Sequence, residues 1–242
     1  MPDHQFSKGR VLFHDPRSRD HEAPRRAPRP VSWRHRMGPV TDQNGYNGCV
    51  GWTWLDLLNS PLMAGNRRRW NASHTPARFT TAYLRNDVGL EIYKLATRAD
   101  EFPWTYPPRD DGSSGLGGAK ALKAAGVIDA YQWTFDFANL LAWGQRQPLA
   151  LGTLWTDVMS DPDKDGVIHI GTERQLKQAD ADGEGHEYSL IGCNWPKKLG
   201  RIRNHWTEDW GLKGEALIPL DELETLVMSY KGDVCVPTLA AA

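Results

Sequence analysis

The sequence is poor in cysteine: its 242 residues include only Cys49, Cys193 and Cys235. An odd and small number of thiols cannot form the disulfide framework of a small secreted domain. Residues 1–10 contain no apolar run of the kind found in a secretory signal peptide, so we expect synthesis in the reducing cytoplasm. No apolar stretch approaches the roughly 20 residues of a membrane-spanning helix, and no membrane partner is expected.

Compositional bias and internal repeats are also absent. Hydrophobic residues make up 40% of the chain and charged residues 24%, and the mean hydropathy is −0.58. These values are typical of a globular chain and exclude a disordered, collagenous or coiled-coil protein. The length suits one large domain or two lobes. Arginine outnumbers lysine, which hints at a GC-rich bacterial or phage source and, for a phage protein, at a place in the virion.

The net charge is only −1, but it is unevenly distributed along the chain. Residues 1–36 contain nine lysines and arginines against four acidic residues, a charge of +5, and the remainder carries −6. Five prolines in residues 1–30 remove backbone donors and break helices. The pattern predicts an extended basic arm over residues 1–29. Such an arm is a solvated tail, a nucleic-acid contact or a segment that docks the chain into a protein assembly.

The first half of the sequence after the arm has helical patterns. Small and apolar residues dominate residues 48–63 and predict a buried helix that begins near Cys49. Further helices are predicted over Pro76–Asn86 and over Leu116–Ala125, the second ended by Gly126. The pattern indicates a helical lobe over residues 30–146.

The second half has short strand-like runs separated by glycine, aspartate and proline. These runs are Leu149–Trp155, Val167–Ile170, Tyr188–Trp195, Arg201–Trp206 and Glu215–Pro219. Because helices come first and strands follow, the order favours an α+β fold over alternating βαβ units. The second lobe is therefore predicted to be a β lobe over residues 147–242.

Cys49 is a candidate nucleophile because it stands at the predicted start of a helix. There the unpaired N–H groups and the helix dipole favour a thiolate over a thiol. Gln43 lies six residues earlier, in a glycine-containing loop. Its amide and the Cys49 backbone N–H are the kind of donors that converge in an oxyanion hole. Taken alone, a cysteine in an apolar helix is more often a packing residue.

Two later segments change this interpretation. His186 stands at the mouth of an apolar strand, and residues 204–214 contain Asn-His-Trp followed by Trp-Gly-x-x-Gly. With Gln43 and Cys49, these motifs resemble those of the papain-like cysteine peptidases. That family places its His and Asn about 130–150 residues after the nucleophile. Here His186 and Asn204 follow Cys49 by 137 and 155 residues.

The resemblance covers most of the chain. Residues 30–43 resemble the opening of a mature papain-like domain, and residues 147–151 resemble the strand that opens its second lobe. It implies a papain-like two-lobe fold, with a helical N-terminal lobe and an antiparallel β C-terminal lobe. The active site is expected in the cleft between them.

The resemblance also implies a role for each motif residue. Cys49 is the nucleophile, His186 the general base and acid, and Asn204 the group that orients the imidazole. Gln43 is an oxyanion donor, and Trp206 shields the Asn204–His186 hydrogen bond from water. The implied activity is thiol-dependent hydrolysis of peptide bonds in a polypeptide substrate, which needs no metal and no cofactor.

Four residues are expected to contact the substrate, and Trp206 is one of them. Residues 111–114 resemble the stretch whose backbone pairs with bound peptide, so Gly112 and Ser113 are the candidates there. Glu187 directly follows the expected catalytic histidine and would face the specificity pocket, where it would favour a basic side chain. The alternative is that Glu187 is an exposed carboxylate paired with an arginine of its own chain.

The sequence departs from the family pattern at four positions. Val50 replaces an aromatic residue, Tyr46 replaces a disulfide cysteine, His205 replaces the Ser of Asn-Ser-Trp, and Ser113 stands where a second glycine is common. The family usually also has a long inhibitory propeptide, which an arm of 29 residues is too short to form. Whether the arm folds back over the cleft is left open.

Two other functions and one metal site are alternatives. A transglutaminase-like acyl transferase uses the same Cys-then-His order. A papain-fold structural or assembly protein, docked through its basic arm, would have little or no activity. Asp161–Gly166 has the alternating carboxylates of a calcium loop, but its twelfth position is Thr172 rather than a glutamate, which favours a β-turn.

Overall fold

The computed structural model describes residues 8–74 and 82–241. Within them the α-helices are α1 (Cys49–Asn59), α2 (Ala64–His74), α3 (Asp87–Ala99), α4 (Gly115–Ala124), α5 (Phe137–Gly144), α6 (Glu173–Asp182) and α7 (Leu220–Glu224). The strands are β1 (Trp33–Arg34), β2 (Tyr131–Trp133), β3 (Leu149–Leu154), β4 (Gly185–Asn194), β5 (Leu199–Arg203), β6 (Glu215–Pro219) and β7 (Asp233–Pro237). The predicted α+β class is confirmed.

One antiparallel sheet contains all of these strands, in the order β2-β7-β3-β4-β5-β6, with β1 paired to the end of β4. The register of its centre pairs Leu149 with Leu190 and Thr153 with His186. Two strands, β1 and β2, come from the part of the chain before residue 147. The division at residue 147 thus remains a prediction, and the segment before it contributes strands as well as helices.

Two apolar clusters form the interior. One lies over the sheet and contains Trp155, Tyr188 and Ile202; the other surrounds α1. Every residue of α1 is buried because the helix packs on α3 on one side and on β4 on the other. The N-terminus of α1 is therefore held where the helical half meets the sheet.

Two of the predicted helices are confirmed, as α1 and α4. Gly126 follows α4 with φ of +69°, the left-handed conformation that glycine adopts at a helix end. Residues 76–81 of the helix predicted over Pro76–Asn86 lie outside the described residues, and residues 82–86 are not helical. The Asn86 side chain instead bonds the backbone N–H and carbonyl of Asp42 at 2.9 and 2.7 Å, and the next helix begins at Asp87.

Four of the five predicted strands are confirmed with small shifts, as β3, β4, β5 and β6. The strand predicted over Val167–Ile170 is wrong. Only Val167 makes a bridge, to Leu217, and the Ile170 N–H is taken by the Glu222 carboxylate at 2.7 Å. A side chain from α7 thus replaces the ladder partner that a strand would need. Sequence patterns also missed the helices α2, α3, α5, α6 and α7 and the strands β1, β2 and β7.

The arm is not a solvated tail over its described part. Ala23 is fully buried, and its N–H donates to the Trp133 carbonyl at 2.8 Å. The Gln145 amide accepts from the Arg29 N–H at 3.0 Å and donates to its carbonyl at 2.6 Å. The guanidinium of Arg26 lies 5.0 Å from the centroid of an indole ring of α5. Residues 8–29 are therefore part of the folded body.

None of the helices in the described ranges combines the length and the apolar character that crossing a bilayer requires.

Candidate active site

Cys49 is the first residue of α1, and its thiol is completely buried. Gly48 precedes it and has no side chain that could cap the helix. Backbone hydrogen bonds from Glu187 and Val50 reach the sulfur and favour the thiolate. Burial outweighs them, with help from the Glu187 charge, and raises the pKa of the Cys49 thiol far above its usual range.

His186 and Asn204 form a buried pair on the sheet side of the same junction. His186 Nε2 lies 2.9 Å from Asn204 Oδ1, and the backbone N–H of His205 donates to the same oxygen at 2.9 Å. Burial lowers the pKa of His186 well below its usual value, and neighbouring His205 lowers it further. Among the described residues Nδ1 has no hydrogen-bond partner, so the imidazole is not bonded to the Cys49 thiol in this state.

Aromatic rings enclose the imidazole. Trp206 stacks on His186 with ring centroids 4.7 Å apart, and Trp155 meets it edge-on at 4.8 Å. These rings exclude water from the His186–Asn204 hydrogen bond, the position that the resemblance implies for Trp206. The sequence patterns did not predict that Trp155 lies at this site. Its position at the end of an apolar strand would have indicated a buried ring.

The Gln43 amide is fixed beside this group. Its Nε2 donates to the Tyr46 carbonyl at 2.6 Å, and Trp206 Nε1 donates to its Oε1 at 3.2 Å. The Gln43 backbone N–H donates to the His205 carbonyl at 3.0 Å. The loop before α1 is thereby tied to the segment that carries Asn204. The structure thus brings the four predicted catalytic residues to one junction, with Trp206 packed against them.

His205, noted in the sequence only as a departure, has a definite structural place. Its Nε2 lies 3.0 Å from the Glu187 carbonyl and 3.2 Å from Thr53 Oγ1, so the ring joins β4 to α1. Burial lowers its pKa to about 3, which keeps the ring neutral. The larger residue therefore adds a link between β4 and α1 behind the His186 imidazole.

The arm lies across the candidate active site. Ser113 N–H donates to the Gly9 carbonyl at 2.9 Å, and Val11 N–H donates to the Ser113 carbonyl at 2.8 Å. The N–H groups of Gly9 and Arg10 both lie 3.2 Å from the Gly185 carbonyl, next to His186. The backbone expected to pair with substrate is thus paired with the chain's own arm. A short segment of the arm therefore covers this backbone.

Gly9 is the tightest point of this contact. Its φ is +124°, and a Cβ there would lie 2.1 Å from the Asn47 carbonyl oxygen. We expect Gly9→Ala to weaken arm docking and to raise peptide turnover about tenfold, because the loss of one or two hydrogen bonds of about 1 kcal/mol each shifts the covered fraction by that factor. Steady-state kinetics on a peptide substrate will measure the change.

The control for this variant is Gly126→Ala. Gly126 also has a positive φ, +69°, but among the described residues no atom beyond its chain neighbours lies within 4 Å of the added Cβ. Gly126→Ala therefore introduces backbone strain at the end of α4 and makes no contact with the arm. Equal turnover in wild type and Gly9→Ala would show that the arm does not restrain the site.

Asp56 is a buried acid on α1, seven residues after Cys49. It accepts from Thr41 Oγ1 at 3.0 Å, and burial raises its pKa from 3.8 to about 7 against the lowering effect of Arg203. The folded state keeps the proton up to about pH 7, whereas the unfolded chain loses it near 3.8. The free energy of unfolding should therefore fall by up to about 4 kcal/mol as the pH rises between these values.

Asp56→Asn should remove most of this dependence, because the amide stays neutral at every pH. Urea unfolding at pH 5 and pH 7.5 will measure it, with the exposed Asp209→Asn as the control. If the free energy of unfolding of Asp56→Asn depends on pH as steeply as that of the wild type, Asp56 is not the group that causes the dependence.

The acidic loop proposed as a calcium alternative closes on itself. Asp163 Oδ1 accepts from the N–H groups of Asp165 and Val167, both at 2.9 Å, as in a β-turn. Within residues 8–74 and 82–241, no three His, Cys, Asp or Glu side chains are grouped so that they could hold a metal ion.

The fold that carries this junction is the papain-like fold, which confirms the resemblance at the level of structure. Xylellain, a cysteine protease from Xylella fastidiosa, aligns with a TM-score of 0.51 and 14% identity over 96% of this chain and 92% of that chain. Recombinant stem bromelain precursor aligns with a TM-score of 0.54 and 13% identity over 98% of this chain and 78% of that chain.

A third solved structure, digestive procathepsin L2 proteinase from the larval midgut of Tenebrio molitor, aligns with a TM-score of 0.50 and 13% identity, covering 99% of this chain and 81% of that chain. No protein-family model matches the chain, and no curated protein sequence does. The likeness is therefore one of fold.

Proposed function

We propose that this protein is a cysteine peptidase that hydrolyses peptide bonds of a polypeptide substrate. The observation that carries the proposal is the buried His186–Asn204 pair beside the N-terminus of the helix that begins with Cys49. The backbone of Glu187, the residue after the histidine, reaches the Cys49 sulfur. A thiol, an imidazole and an orienting carboxamide at one junction are the parts that nucleophilic acyl transfer requires.

The proposed reaction begins when His186 Nδ1 takes the Cys49 proton. The sulfur attacks the substrate carbonyl, and the Cys49 N–H and the Gln43 amide hold the developing oxyanion. The C–N bond then breaks, and His186 returns the proton to the leaving amine. Water, deprotonated by the same imidazole, hydrolyses the thioester and regenerates the thiol.

The covered state described here is proposed to be a resting state. Burial raises the thiol pKa and lowers the imidazole pKa. Both directions favour the neutral pair over the thiolate–imidazolium pair. Departure of the arm would admit water and substrate. Hydration would then lower the desolvation penalty of the thiolate–imidazolium pair.

An epoxide or vinyl-sulfone probe directed at cysteine nucleophiles tests the proposal. We expect labelling of Cys49, located by peptide mass mapping, that disappears in Cys49→Ala and falls in His186→Ala. The test should include Gly9→Ala, in which the arm is expected to release the site. A folded protein whose Cys49 is unreactive in both backgrounds would favour the non-catalytic assembly protein.

No observation favours the assembly alternative. It requires the basic arm to be available to a partner or to nucleic acid, whereas residues 8–29 pack against the rest of the chain and hydrogen-bond to it. An acyl transferase would share the first half of the reaction, and product analysis with an added amine would distinguish it from the proposed hydrolase.

A further inference from the structure

A pocket beside the catalytic junction holds the guanidinium of Arg10. Arg10 Nη2 lies 2.5 Å from Asp233 Oδ2 and 3.4 Å from the Lys231 carbonyl. The residue is only 3% exposed. An arginine of the arm is thus buried against an acid of β7, more than 220 positions away in the sequence.

Glu187 forms the opposite wall of this pocket. It is 1% exposed, so the predicted alternative of an exposed carboxylate is wrong. Among the described residues neither of its carboxylate oxygens has a hydrogen-bond partner, and Arg10 Nε has none either. Burial and the neighbouring Asp233 raise the pKa of Glu187, while the Arg10 charge lowers it. The carboxyl groups of Glu187 and Asp233 therefore both lie near the Arg10 guanidinium, and the Glu187 oxygens can still accept hydrogen bonds.

The sheet register explains why the two acids converge. Gly152 of β3 pairs with Glu187 on one side and with Asp233 on the other. Directly opposed residues project to the same face of a sheet, so both acids flank the glycine. A Cβ at position 152 would lie 2.5 Å from both Arg10 Nε and Asp233 Oδ1. Glycine therefore leaves the space that the guanidinium fills.

The backbone around Arg10 is bound in the manner of an added strand. Gly9 and Val11 hydrogen-bond to Ser113 on either side of Arg10. In strand addition, main-chain bonds hold the peptide and pockets select its alternate side chains. A peptide paired with Ser113 at this point would place its own side chain where Arg10 now lies.

We propose that Glu187 and Asp233 form the specificity pocket of this enzyme, that it selects an arginine or lysine side chain of the substrate, and that Arg10 is its internal occupant. The inference rests on the proposed function, because only a peptidase has a substrate side chain to select. The binding of a cation by the two acids does not depend on that function. A guanidinium can satisfy two carboxylates at once, which a neutral side chain cannot. An empty pocket would leave the buried Glu187 and the largely covered Asp233 without the Arg10 counter-charge.

Binding to a catalytically silent protein tests the pocket separately from turnover. The protein is Cys49→Ala combined with Gly9→Ala and Arg10→Ala, which weakens the backbone docking of the arm and removes its guanidinium, and the probe is the arm peptide Lys-Gly-Arg-Val-Leu, measured by calorimetry. We expect it to bind at least about tenfold more tightly than the same peptide with norleucine for arginine. The advantage should be lost in Glu187→Gln and Asp233→Asn and absent when Arg10 is retained.

A substrate-library profile of the Gly9→Ala enzyme completes the test, and here Arg10 itself is intact. A preference for arginine or lysine that falls at least about tenfold in Asp233→Asn is expected. Equal binding of the norleucine peptide, or an unchanged preference in both acid variants, would overturn the inference. Arginine-dependent binding without any turnover would instead overturn only the proposed catalysis.

Discussion

Cys49→Ala should lower peptide turnover by about 10⁴-fold or more. If Cys49 is the nucleophile of the proposed peptidase, its removal closes the covalent route altogether, and only the contribution of binding and of the oxyanion donors remains. The side chain is completely buried at the start of α1. Alanine leaves a small space there, and thermal melting will show whether the fold persists while initial rates measure the loss.

The other two cysteines provide the controls. Cys193 lies on β4 and Cys235 on β7, and both are buried free thiols like Cys49. Cys193→Ala should keep most of the turnover, because this strand end is not part of the catalytic junction. Loss of activity in Cys193→Ala with retention in Cys49→Ala would place the nucleophile elsewhere.

Groups that act in one step do not contribute additively. If His186 serves only to move the Cys49 proton, then His186→Ala in the Cys49→Ala background should cause little further loss. A double variant that multiplies the two single losses would mean that His186 acts by a route independent of the thiol. The comparison therefore tests the pair rather than either residue alone.

Local patterns predicted the parts of the site that lie close together in sequence. Gln43 and Cys49 are separated by one loop, and the apolar run after Cys49 predicts α1 because the spacing of its residues is set by the helix itself. The motif around Asn204 likewise lies within the single connection between β5 and β6. Each of these features depends on a few neighbouring residues.

Long-range pairings could not be predicted in this way. Nothing near Glu187 in the sequence indicates that Asp233 will lie beside it, since the two meet only through Gly152 in the sheet register. The place of Arg10 depends on three separate segments of the body. The failed strand at Val167–Ile170 has the same cause, because the Glu222 side chain competes for its backbone.

Asn204→Ala should reduce kcat by roughly 10- to 10⁴-fold without abolishing it, because Asn204 orients the imidazole and does not react. Its Oδ1 is the acceptor for His186 Nε2, which leaves Nδ1 as the ring nitrogen available to take the thiol proton in the proposed reaction. Without this acceptor the ring can rotate or change tautomer, and Nδ1 is no longer presented to the sulfur. Steady-state kinetics will measure the loss, with Asn194→Ala at the exposed end of β4 as the control.

Asn204→Asp separates orientation from simple packing. Oδ1 accepts from two donors, His186 Nε2 and the His205 N–H, while Nδ2 has no hydrogen-bond partner among the described residues. A carboxylate can therefore keep both contacts. Its charge should raise the His186 pKa and shift the acid limb of the pH–rate profile upward. Undiminished kcat in Asn204→Ala, or an aspartate variant as impaired as alanine with an unshifted profile, would remove Asn204 from the mechanism.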